Sequence, residues 1–120
     1  MVIGGLTMET NLMFRMWHRI DKKMYYNIED LDTDENPSLN NLLKNKHVHV
    51  MHSVGMFDVN NIPVYTGDII KFTVKGVSYQ GLVGELIRGS INVFVDNETH
   101  FPLREVSNVV IVGDVYANRY

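Results

Sequence analysis

The chain has 120 residues, 45% of them hydrophobic, with 11 basic and 14 acidic side chains and a net charge of −3. That is the size and composition of one globular domain, too apolar for a disordered chain and too acidic to favour unspecific phosphate-backbone binding. It has no cysteine, which excludes disulfides, thiolate metal sites and cysteine nucleophiles.

No apolar stretch reaches the roughly 18 residues of a membrane span. The opening, Met1 to Met13, has no basic cluster and does not read as a signal peptide. The expected location is therefore the cytoplasm. Leu12, Phe14 and Met16 then alternate with Met13, Arg15 and Trp17. Asp21-Lys22-Lys23 reads as a turn and Met24 to Ile28 as a returning strand, together a hairpin. The segment Glu29 to Glu35 carries five acids and no base, and Asn36-Pro37-Ser38 follows it. An exposed acidic loop over 29–37 is expected. Ser38 is placed to cap a short helix over Leu39, Leu42 and Leu43. Residues 47–57 alternate again.

From Ile69 onward, short β-branched runs alternate with glycine turns. Strands are expected over 69–74, 77–87, 91–95, 99–101 and 109–116, with one helical turn over 103–106. Five short strands point to a small closed barrel. The expected fold class is α+β, mainly β. An N-terminal hairpin with a short helix (1–57) precedes a five-stranded SH3-like barrel (58–120).

The chemistry-bearing patterns are weak. Asp30-x-Asp32-x-Asp34 starts like a calcium loop, but Glu35 and Asn41 stand where that loop needs glycine and a bidentate glutamate. It reads as a solvated acidic loop. His47-x-His49 would place two imidazoles on one strand face, a weak metal candidate without an evident third ligand. Asp58, Asp68, Asp96 and Asp114 each flank a turn, where aspartate binds nearby backbone donors. No nucleophile elbow or phosphate-binding glycine loop is present, so neither an enzyme nor a cofactor is expected. Arg15, Trp17, Arg19, Lys22, Lys23 and Tyr25 interleave cations with aromatics. Two readings stand: a nucleic-acid or partner surface, or a hairpin whose aromatics form its own core. The acidity of the whole chain favours the second.

Four stretches resemble the YopX family, small proteins of bacterial phages and prophages. The first is Phe14-Arg15-Met16-Trp17, with Lys23-Met24-Tyr25 after it. The second, and the most specific, is Met51 to Asp58 followed by Val64-Tyr65-Thr66-Gly67-Asp68-Ile69-Ile70. Gly81-Leu82-Val83 and Val110 to Asn118, which contains Gly113, are the others. Val54, Asn61 and Pro63 depart from the family's pattern. The resemblance implies an α+β protein with a C-terminal SH3-like barrel, self-associating and of unknown biochemical role. It brings no catalytic residues. Gly55, Asp58, Tyr65, Gly67, Asp68 and Gly113 are expected to be structural turn residues. The expected function is thus a non-enzymatic, phage-encoded interaction module that forms a homo-oligomer. The alternative is a nucleic-acid-binding module using the aromatic-basic hairpin.

Overall fold

A computed structural model describes residues 12–28, 46–86 and 89–116. The chain divides into two units, Met1–Gly55 and Met56–Tyr120.

In the first unit, β1 (Phe14–His18) and β2 (Lys23–Tyr26) form a hairpin. Its turn is closed by the Lys22 N–H donating to the His18 carbonyl, with Lys22 in the left-handed region. Strand β3 (Val48–Phe57) pairs antiparallel with the other side of β1, and its last two residues belong to the second unit. Strand alternation sorts the side chains. Phe14, Met16, Val48 and Val50 share one face and pack with the buried Ile28. Arg15, Trp17, Met24, Tyr26, His49 and Met51 fall on the other.

The second unit contains β4 (Pro63–Tyr65), β5 (Asp68–Val74), β6 (Val77–Glu85), β7 (Ile91–Phe94), β8 (His100–Pro102) and β9 (Ser107–Asp114). The last five make one antiparallel sheet in the order β9-β5-β6-β7-β8. Lys75 and Gly76, both with positive φ, form the two-residue turn between β5 and β6. That turn type matches the twist of the strands it joins. Ile70, Phe72 and Val74 point inward from β5 and meet Val83, Val93, Val106 and Val109 in the core. Phe72 also packs against Tyr79 and Phe101, with ring centroids 5.8 and 6.1 Å away.

The expected fold class needs correction. Strands hold 62% of the described residues, in two antiparallel sheets, and the described residues include the short 3-10 turn Leu103–Glu105. The class is β-rich and barrel-like, not α+β. The helix expected after Ser38 and the acidic loop 29–37 both lie outside the described residues. The five strands expected in the second unit are present as one sheet with β9 and β8 as its outer strands. Strand β8 has three residues and ends on Pro102, which has no N–H with which to extend a ladder.

Candidate functional site

Within the second unit, Asp58 and the turn before β5 in the most specific motif are tied to β9 and the residue just beyond it. Asp58 is buried, with its Oδ1 accepting the N–H groups of Asn60 (2.8 Å) and Ile62 (3.0 Å). Its Oδ2 accepts the N–H of Ile111 on β9 at 3.3 Å. Burial pushes the Asp58 carboxyl up. The backbone donors of Ile62, Ile111 and Asn60, with the Asn60 side chain, outweigh that and hold it below its ordinary value. The Val59 N–H donates to the Val109 carbonyl, fixing the same corner to β9 a second time.

Tyr65 and Asp68 are buried, and the Tyr65 N–H donates to Asp68 Oδ2 at 2.8 Å. Gly67 between them has φ +92°. Its N–H donates to Val83 on β6, and its carbonyl accepts the N–H of Val115 just beyond β9. Gly113 lies inside β9 opposite Ile69, at a register shift. Gly55 has φ +81° near the end of β3. The motif residues thus tie loops to strands, and their carboxylates are occupied by backbone amides.

That pinned corner carries an exposed apolar group. Phe57, Val59 and Ile62 are 54%, 62% and 49% exposed. Beside them lies an open cleft of about 270 Å³ lined by Met56, Phe57, Val59, Val106, Asn108 and Val109. No sequence motif singles out these side chains; their signal is two large apolar residues, Val59 and Ile62, inside a five-residue turn that Phe57 precedes.

The hairpin residues do not form one surface. Arg15 is buried, its guanidinium 5.9 Å from the centroid of the Tyr26 ring. Trp17 is half-buried on the same face, in register with Met24 and His49. Arg19, Lys22 and Lys23 are exposed at the hairpin tip. Tyr25 is on the opposite face, where its hydroxyl donates to Asp21 Oδ2 at 3.0 Å. That hydrogen bond, with partial burial and the charge of Asp21, raises the Tyr25 phenol above its ordinary value. His18 stands edge-on to the Tyr25 ring, and its Nδ1 accepts the Asp21 N–H.

The two histidines of the weak metal candidate separate by element. His47 sits in the turn before β3, its carbonyl accepting the Arg19 N–H at 2.8 Å. His49 is on β3, exposed beside Trp17. Among the described residues no three His, Asp or Glu side chains come together as a metal site. Among the same residues no helix is long and apolar enough to cross a membrane.

Comparison with known proteins adds a fold. The crystal structure of protein EF1440 from Enterococcus faecalis is similar, with a TM-score of 0.59 at 14% identity. The match covers 92% of this chain and 96% of that one. At that identity the likeness is one of fold alone. No family model and no curated protein matches this sequence.

Proposed function

We propose that this chain is a non-enzymatic, self-associating interaction module. On this reading it is a YopX-like phage or prophage protein working in the host cytoplasm. The observation that carries the reading is the corner 57–62. Its backbone is fixed by the three amides on Asp58 and by the Val59–Val109 bond, yet it holds Phe57, Val59 and Ile62 in water. Exposed large apolar side chains gathered on one hydrogen-bonded corner are a mark of a protein contact. Phe57 and Val59 of this group also border the adjoining cleft, so one patch offers both exposed apolar side chains and a recess. A two-fold contact needs such self-complementarity, because the same patch faces itself. A second copy of this chain is therefore the partner. The motif resemblance, which implies self-association, points the same way.

Sedimentation equilibrium over low to high micromolar protein tests this. The native chain should sediment as a dimer or larger. Val59→Asp and Ile62→Asp should each shift it to monomer with an unchanged circular dichroism spectrum. A native chain that stays monomeric throughout removes the proposal.

A further inference from the structure

The described residues of the first unit are basic, although residues 1–55 as a whole hold six basic and seven acidic side chains. Its described residues, 12–28 and 46–55, hold Arg15, Arg19, Lys22, Lys23 and Lys46 against the single carboxylate of Asp21. Four of those cations are exposed, and the fold brings them to one end of the sheet. Arg19 and Lys22 are in the β1–β2 turn, and Lys23 opens β2. Lys46 precedes His47, whose carbonyl is bonded to the Arg19 N–H. Lys46 is 27 positions from Arg19 in the sequence, so only the folded chain shows the grouping.

The same end of the sheet presents flat rings. Across three strands Met24, Trp17 and His49 form one row on one face. Directly opposite residues on antiparallel strands place their side chains together. The neighbouring row is Tyr26, Arg15 and Met51. There Tyr26 is 51% exposed and lies over the buried Arg15 guanidinium. Three rings, those of Tyr26, Trp17 and His49, thus share a face that leads to the cationic tip.

We propose that this face binds single-stranded nucleic acid, with bases stacking on Trp17 and Tyr26 and phosphates reaching Arg19, Lys22 and Lys46, while Lys23 lies on the other face with Tyr25. Single strands are held by this combination. Aromatic side chains take the bases, and nearby cations follow the backbone. A duplex hides its base faces and gains nothing from the rings. The proposal concerns the first unit and is independent of self-association through the corner 57–62.

The test uses the full chain, a fluorescein-labelled oligothymidine and the emission of Trp17, the one tryptophan in the sequence. Oligothymidine should raise the anisotropy and quench Trp17 together. The logarithm of the binding constant should fall with the logarithm of salt with a slope of about −2, for three phosphate contacts on a single strand. Arg19→Ala combined with Lys22→Ala should weaken binding and make that slope about one third as steep. Tyr26→Ala should weaken binding on the order of tenfold with little change in the salt slope. Trp17→Phe should keep most of the affinity and Trp17→Ala should lose it. The half-burial of Trp17 makes the exposed-residue variants the decisive arms. Absence of binding at low salt overturns the proposal. So does binding that ignores the Arg19 and Lys22 changes. Equal competition by duplex DNA or by anionic lipid vesicles, with Trp17 emission unchanged, overturns it in favour of an unspecific polyanion contact.

Discussion

Asp68 and Asp114 stand directly opposite each other at the end of the β5–β9 ladder, 2% and 3% exposed. Each holds a backbone amide of its own loop, Asp68 that of Tyr65 and Asp114 that of Tyr116. The Val115 N–H donates to the Gly67 carbonyl beside them. Two stretches of the motif, more than forty residues apart, are therefore locked to each other at one point.

Such a pair should not behave as two independent sites. Asp68→Ala leaves the buried Tyr65 N–H without its acceptor and should cost on the order of 1.5–3 kcal/mol. A double-mutant cycle with Asp68→Asn and Asp114→Asn, read by urea unfolding, should give a coupling of at least about 0.5 kcal/mol. Costs that simply add would show that the facing geometry carries no energy.

Gly67 is held from both sides, its N–H by Val83 and its carbonyl by Val115, at φ +92°. The backbone cannot rotate to suit a side chain without breaking one of these bonds. Gly67→Val should destabilise the fold by about 1–3 kcal/mol, because a β-branched residue resists this conformation. Gly67→Asn should cost less, since asparagine tolerates positive φ better. Thermal melts check both, and an unchanged melting temperature for the valine variant would refute the assignment.

Gly81 is required for a different reason. It pairs with Ile70 on β5, and an added Cβ would stand 2.7 Å from the Phe94 carbonyl oxygen and 2.9 Å from Val93 Cγ1. The obstacle includes backbone, so a rotamer change does not relieve it. Gly81→Ala should cost about 1–3 kcal/mol by overpacking. Hydrogen exchange of the β7 amides should accelerate alongside. Unchanged exchange there would show that β6 and β7 accommodate the methyl group.

Strand positions in the second unit were legible because side chains alternate and glycine turns are short. The expected 69–74 and 77–87 appear as β5 and the slightly shorter β6. The inward face was harder. Ile69 and Ile70 are equally apolar, and the bulges in β9 that shift its register against β5 leave no mark in composition. Val115 was expected on a strand but is 48% exposed in the turn after β9. For the hairpin, spacing could list the cations and rings. It could not show that Arg15 turns inward and that Lys46 and His49 join the others, because those neighbours come from β3.

Asp58 gives the corner its acid sensitivity. Its carboxyl is held below the ordinary range in the folded state, despite burial, by the amides of Ile62, Ile111 and Asn60. A depressed folded value means the stabilisation is fully present above the unfolded value, near pH 4, and is lost as pH falls through the folded one. Asp58→Asn should therefore be less stable at neutral pH by on the order of 1–3 kcal/mol. It should also lose less than the native chain on acidification, so that the two melting curves converge at low pH. Parallel curves over the whole range would show that Asp58 is not the titrating group.

His49 titrates in the opposite sense to a histidine beside an acid. Partial burial lowers its value first, and the charge of Arg19 lowers it further. Protonation is thus penalised in the folded chain. The penalty is absent above the ordinary histidine value near pH 6.5 and grows as pH falls toward the lowered folded value. An NMR titration should find His49 below that ordinary value. Arg19→Ala should move it upward but not all the way, because the larger cause, burial, stays in place. Bound oligothymidine should raise it as well, since phosphates near Arg19 offset the repulsion that Arg19 exerts on the imidazolium. A His49 titration that is indifferent to Arg19→Ala would show that the two groups do not interact. One that is indifferent to saturating oligothymidine would place the nucleic acid away from this face.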